Sequence, residues 1–241
     1  MRIKITLAYD GSRYFGFQVQ KGQTLTVASE LYEALKSLHI ESKIIASGRT
    51  DRNVHATGQV IHIDLPKHWT NLNKLHNELT RKLSGFITIK YISAVDESFH
   101  ARFGGKRRVY RYIISTQKPS PYEHAYLTYV PNLNSQKIEA ALHFLEGTHD
   151  FKYFQKSGSS PTTTVRTLYK ASSYWHKGQF ILRFEANSFL RSQIRMIVGF
   201  LLKISEGSLS EEQLQEQLSL TQQHSRSLAD PNGLYLAKII Y

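Results

Sequence analysis

The spacing of apolar residues in this chain switches between two and three-to-four, and that switching restricts the fold more than any other feature. Strict alternation marks a half-buried strand; recurrence at i, i+3 and i+4 marks an amphipathic helix. Met1 to Tyr9 alternates as a strand does. Val27, Leu31, Ala34, Leu35 and Leu38 share one helical face, which predicts a helix from Thr24 to His39. Ile44 to Ala46 reads as the end of a second strand, and Gln59 to Leu65 alternates as a third. Leu72, Leu75, Leu79 and Leu83 predict a helix over Asn73 to Leu83, and Ile87 to Ile92 alternates again. The order strand, helix, strand, strand, helix, strand is an α+β pattern.

The rest of the chain roughly repeats that order, without a residue-level repeat. The run from Phe99 to Ile114 interleaves cations with aromatics and ends as a strand. Its alternation puts Arg107, Val109 and Arg111 on one face and Arg108, Tyr110 and Tyr112 on the other. Gln117 to Pro121 breaks regular structure and marks a boundary between halves. Ile138, Ala141, Leu142 and Leu145 define a helix that Gly147 can end. Val165 to Ser173 and Phe180 to Glu185 read as strands, after a flexible loop over Ser157 to Pro161. From Phe189 the period turns helical, with Arg191 and Arg195 four apart and Gly207 at the end. Ser210 to Gln213 fits a capping box, and Gly233 to Tyr241 is strand-like. The expected fold is α+β: two similar α/β halves, residues 1–105 and 106–241, with joined, mainly antiparallel sheets, flanking helices and a central cleft. A cleft of that kind is a usual binding site.

Charge narrows what such a cleft binds. The 241 residues carry 31 Lys and Arg against 19 Asp and Glu, a formal net charge of +12. So lopsided a balance points to a polyanion, and nucleic acid comes first because phosphate neutralisation supplies most non-specific affinity. No Cys is present, which excludes disulfides, Cys-ligated zinc and a thiol nucleophile. No stretch is apolar enough to span a bilayer, and the first residues lack the apolar core of a signal peptide. These features predict a soluble, cytoplasmic protein.

The stretch Ser47-Gly48-Arg49-Thr50-Asp51-Arg52-Asn53-Val54-His55-Ala56 joins two expected strands. A turn rich in Gly, Asp and Asn needs no function. Yet rigid strands flanking a loop with an Arg and an Asp are a common setting for chemistry. The preceding aromatic loop, Ser12 to Gly22, either packs on the core through Phe15 and Phe17 or presents a surface to RNA. Lys106, Arg107 and Arg108 read as phosphate contacts rather than catalysts. His55, His62, His100 and His149 match no common metal spacing and read as core or loop residues.

Read together, these segments resemble the tRNA pseudouridine synthase A family. Its central motif, Gly-Arg-Thr-Asp-Ala-Gly-Val-His, corresponds to Gly48-Arg49-Thr50-Asp51-Arg52-Asn53-Val54-His55. The likeness continues in order through Leu7 to Gly11, Phe99 to Phe103, Tyr110 to Tyr112, Gly147 to Phe151, Val165 to Thr167, Phe189-Leu190, Ile194-Arg195 and Gly233 to Leu236. Arg52-Asn53 departs from the usual Ala-Gly, adding bulk and charge beside the carboxylate. Ser192 stands where a His is common, and Gly104-Gly105 replaces a Ser-Ala-type pair.

The resemblance implies an isomerase that converts uridine to pseudouridine in the anticodon stem-loop of tRNA, with no cofactor and no metal. It implies a homodimer with one tRNA spanning both subunits. It assigns Asp51 as the catalytic carboxylate, which either attacks C1′ or removes a sugar proton. Arg49 helps displace the uridine from its stack and fills the space, Tyr110 stacks on the flipped base, and Arg195 pairs with Asp51, keeping it ionised and oriented. Substrate contacts fall at Arg49, Lys106, Arg107, Tyr110 and Leu234. The alternatives are the same chemistry at another RNA site and a non-catalytic tRNA-binding or chaperone protein.

Overall fold

The computed structural model describes residues 1–19, 22, 25–158 and 161–241. Thr24, expected to open the first helix, lies outside them, as do Gln20 and Lys21 of the aromatic loop and Ser159 and Ser160 of the later one. The chain forms two compact units. One comprises residues 1–106 with 235–241, the other residues 107–234.

In the first unit, β1 (Arg2–Tyr9) buries Ile3, Ile5, Leu7 and Tyr9 on one face. It lies between β3 (His55–Asp64) and β4 (Ile87–Ala94), antiparallel to both. A short β2 (Ile45–Ala46) also pairs with β3. The last strand, β10 (Leu234–Ile240), runs parallel to β3 with Tyr235 opposite His55. The expected division at 105/106 therefore leaves out one element: the final strand belongs with the first unit. Helix α1 (Val27–Lys36) starts from a capping box in which Thr26 and Ser29 satisfy each other's backbone N–H. Helix α2 (Leu72–Lys82) is capped by Asn71 and packs on β4 through a face that buries Leu75 and Leu79.

In the second unit, β5 (Arg107–Ser115), β9 (Gln179–Ala186), β8 (Val165–His176) and β7 (Gly147–Asp150) form an antiparallel run. A two-residue β6 (Thr128–Tyr129) pairs parallel to β5. The Gln117 to Pro121 break is a turn inside this unit rather than a boundary, with Ser115 Oγ accepting from Gln117 N at 3.2 Å. Helix α3 (Ser135–Leu142) passes through a 3-10 turn, and Gly147 begins β7 instead of ending the helix. It packs on β8 and on α4 (Gln193–Glu206), which buries residues almost all round, from Ile194 to Ile204. A polar helix, α5 (Glu211–Leu218), has the expected Ser210–Gln213 capping box.

Helix α4 begins later than its apolar period suggests. Ser192 takes a left-handed conformation, φ 57°, so Arg191 is outside the helix and does not share a face with Arg195. Arg191 instead donates to Ser157 O at 3.2 Å. Inside the helix, Gly199 allows the segment at Ser227 to approach: an added Cβ would fall 2.6 Å from Ser227 O. Gly199→Ala gains about 1 kcal/mol of helix propensity, but overpacking at such a contact costs about 1–3 kcal/mol. The variant should therefore be destabilised, with a lowered midpoint in urea and an unchanged m-value. A raised midpoint would show that the 227 segment yields freely.

Candidate active site

The Asp51 loop spans only the residues between β2 and β3, because β3 starts at His55, four residues earlier than its alternation suggests. Ser47 N still pairs with Val60 O at 2.8 Å, so the loop leaves the sheet in register. It closes with Val54 N donating to Asp51 O at 3.2 Å. Asn53 occupies the left-handed region at φ 64°, the conformation for which a Gly is the usual choice. Asn is among the few other residues that tolerate it, so the Arg52-Asn53 departure keeps a sharp turn.

Buried polar groups fix the loop from below. Tyr9 OH meets Thr50 Oγ1 at 2.8 Å. Gln59 accepts from Ser47 Oγ at 2.8 Å and donates to Gly48 O at 2.9 Å. His55 Nδ1 accepts from Gly11 N at 3.1 Å, and its ring stacks on Tyr235 at 4.7 Å. The aromatic loop is bound to the same turn: Phe17 N donates to Thr50 O at 3.1 Å. Gly16, at φ +98°, lets it approach, since a Cβ there would sit 2.8 Å from Thr50 O. The Arg52 guanidinium lies 4.6 Å from the centre of the Phe15 ring. Of the two readings of this loop, packing on the core thus accounts for Phe17, which is buried, while Phe15 faces a cation. Asp51 is half-buried and Arg49 exposed.

The second unit holds Arg107, Tyr110, Arg195 and Leu234, while Lys106 ends the first segment of the first unit. Tyr110 on β5 meets Phe189 edge-on, ring centres 5.2 Å apart. Two residues on, Tyr112 is fully buried; its hydroxyl donates to Asp230 O at 2.7 Å and meets Thr128 Oγ1 at 2.7 Å. Burial pushes its phenol well above the ordinary range. Arg195 is tied to the same segment twice: its Nε donates to Ala229 O at 2.8 Å, and its carbonyl accepts from Ala229 N at 2.9 Å. Asp230 then caps the Pro231–Gly233 turn, which leads into the buried Leu234. So Arg195, through Ala229, and Tyr112, through Asp230, both hold the segment that leads into Leu234, a connection that no local sequence pattern marks.

The expected phosphate cations differ among themselves. Lys106 is exposed. Arg107 is held by Glu185 at 2.9 Å and lies over Tyr169 at 4.6 Å; Arg183 takes the other carboxylate oxygen at 2.5 Å. Arg108 donates to Asn187 O at 2.7 Å. His55 and His62 are buried, each accepting a backbone N–H at Nδ1. Burial, with Arg2 and His100 nearby, lowers the His62 pKa.

The hydrogen bond from Arg107 holds the Glu185 pKa below the ordinary glutamate range; burial opposes the shift and Arg183 adds to it. Its contribution to stability is present above the pKa of an unfolded glutamate and is lost as pH falls through the lower folded value. Glu185→Gln should therefore lose stability at neutral pH and show a flatter decline than the parent below about pH 4.5, read from urea midpoints across pH. Parallel curves would show that the trio contributes nothing net.

The model of the family described as tRNA pseudouridine synthase matches residues 5–104 and 141–241, parts of both units. A tRNA pseudouridine synthase A of Campylobacter jejuni subsp. doylei is 40% identical over 241 residues, all of both chains. That of Wolinella succinogenes is 39% identical over 98% of this chain and 92% of its own. That of a Geobacillus species is 37% identical over 100% and 98%. With the loop and the Arg195 helix inside the regions the family model matches, and the Tyr110 strand inside the full-length match to the Campylobacter relative, the chain belongs to the tRNA pseudouridine synthase family.

Proposed function

We propose that this chain isomerises uridine to pseudouridine in the anticodon stem-loop of tRNA, with Asp51 as its catalytic carboxylate. The observation that carries this reading is the Asp51 loop itself, a family motif held by buried hydrogen bonds to Tyr9 and Gln59. A loop so fixed presents its carboxylate at small entropic cost, which is the requirement for a positioned catalyst.

In the reaction the bond from C1′ to N1 breaks, the uracil turns, and a bond forms from C1′ to C5. The C5 proton leaves and N1 gains one, so atoms and charge balance without an oxidant. Asp51 serves either as the group that attacks C1′ or as the base that removes a sugar proton. The base must first leave its stack, at a cost of a few kcal/mol. Arg49, exposed on the loop, suits the task of filling the vacated space. Tyr110, its ring flanked edge-on by Phe189, suits stacking on the flipped uracil. Arg195, anchored by Ala229, acts with Asp51, and Leu234 contributes an apolar contact. The reading includes a cytoplasmic homodimer with one tRNA spanning both subunits, which the family resemblance supports.

Asp51→Ala and Asp51→Asn should fold, bind tRNA and form no pseudouridine. Mapping pseudouridines in unmodified tRNA after incubation with each protein checks this. Turnover by purified Asp51→Ala, or wild-type product only outside the anticodon arm, would sink the corresponding part of the reading. A wild-type protein that binds tRNA and forms no product would favour a chaperone.

Binding should be electrostatic. The affinity for tRNA should fall with salt at a log–log slope of about −0.9 for each duplex phosphate neutralised. Lys106→Ala should flatten that slope by about one unit. Arg107→Ala should flatten it less, because Glu185 already offsets that charge. Filter binding across a salt series reads both, and a salt-independent affinity would remove the basic surface from the account.

A further inference from the structure

Gln59 is fully buried in β3, on a face otherwise apolar through Ile61 and Ile63. A buried amide is costly unless its donors and acceptor are used, so its partners define why it is there. Its Oε1 accepts from Ser47 Oγ at 2.8 Å and Val60 N at 3.1 Å. Its Nε2 donates to Gly48 O at 2.9 Å and, over a longer 3.4 Å, to Tyr9 OH. Tyr9 OH in turn meets Thr50 Oγ1 at 2.8 Å. The amide has one workable orientation. Turned over, it would set an NH₂ against the Val60 N–H and its oxygen against the Gly48 carbonyl.

The backbone is arranged to bring it there. Leu7 pairs with Gln59, but Tyr9 pairs with Ala56, so β3 carries one extra residue between these pairs. Such a bulge re-aims the side chains beside it. The result is that one side chain holds Ser47 and Gly48 directly and Thr50 through Tyr9. Three of the four residues leading to Asp51 hang on it.

We propose that Gln59 is a positioning residue for the Asp51 loop, setting the carboxylate's placement through Ser47, Gly48 and the Tyr9–Thr50 bond. The proposal rests on the reading of Asp51 as the catalytic carboxylate. Gln59 touches no substrate; it acts on the rate of the chemical step and not on tRNA affinity, which is set by phosphates elsewhere. A side chain that merely satisfied the core would affect stability alone.

The test is single-turnover kinetics at saturating tRNA, with filter binding and thermal unfolding, on wild type, Gln59→Leu, Gln59→Glu and Tyr9→Phe, with Asp51→Ala as the inactive reference. Gln59→Leu should react about 10²-fold more slowly, the scale of a displacement near 1 Å, with tRNA affinity within about twofold of wild type. Tyr9→Phe breaks one arm and should lose less. Gln59→Glu keeps the shape and the acceptor, but donates to Gly48 O only while protonated. Burial favours the protonated form, and among the group's hydrogen-bond partners only Tyr9 titrates. Its rate relative to wild type should therefore rise as the pH is lowered. A folded Gln59→Leu within about threefold of the wild-type rate, or one whose whole defect lies in binding, overturns the proposal. If Gln59→Leu does not fold, Gln59→Glu decides: a rate ratio independent of pH overturns the proposal. Activity in Asp51→Ala would remove the catalytic assignment of Asp51, whereas the role of Gln59 is read separately from its own variants against wild type.

Discussion

Strand β3 holds the first unit together, and the Asp51 loop hangs from its beginning. It is paired with β1 on one side and with β2 and β10 along its length, so its backbone is fixed by neighbours distant in sequence. Eight of its ten residues are buried, which leaves little room to shift register. Because the Asp51 loop runs into His55 without slack, the position of the carboxylate is inherited from the sheet. A loop of ordinary surface type would be free to sample many conformations, and ordering it would consume binding energy. Here the ordering is done when the sheet forms.

Several acidic residues of this basic chain are committed to structural partners. Glu185 lies between Arg107 and Arg183, and Asp64 takes both ends of the Arg2 fork at 2.8 and 3.0 Å. Glu30 accepts from Tyr14 OH and Ser84 N, each at 2.7 Å. Asp10 and Asp230 cap turns. A carboxylate committed to a guanidinium or a backbone N–H projects little field of its own. These paired anions therefore stabilise structure while adding little repulsion toward a phosphate backbone.

Much of this was legible in the chain. Alternation located β1, β3, β4, β8, β9 and β10, and helical periodicity located α1, α2, α3 and α4, since each runs long enough for a period to show. β6 and β7, two and four residues long, have no period to read. The start of α4 was hidden by Ser192, whose left-handed turn interrupts an apolar pattern that runs straight through it. In the site, the Asp51 motif was visible as residue types. The partners were not: Gln59 reaches Tyr9 across fifty residues, and Arg107 finds Glu185 across seventy-eight. A polar residue at an apolar position of a strand is the trace that Gln59 leaves in sequence, and it says only that some partner exists.

The parallel pairing of Tyr235 with His55 has a consequence for how the protein is made. Synthesis delivers residues 1–106 first, yet their sheet lacks a strand until all of residues 107–234 have followed. Through that interval the β3 edge that later receives β10 is open, beside the loop that the sheet is to fix. Contacts so distant along the chain form late, because the closure entropy comes before the reward. An unpaired edge is also a template for other strands. The first unit is therefore the earlier to be translated and the later to be finished, and its exposure to misassembly is set by how fast the second unit folds and lets the last strand return.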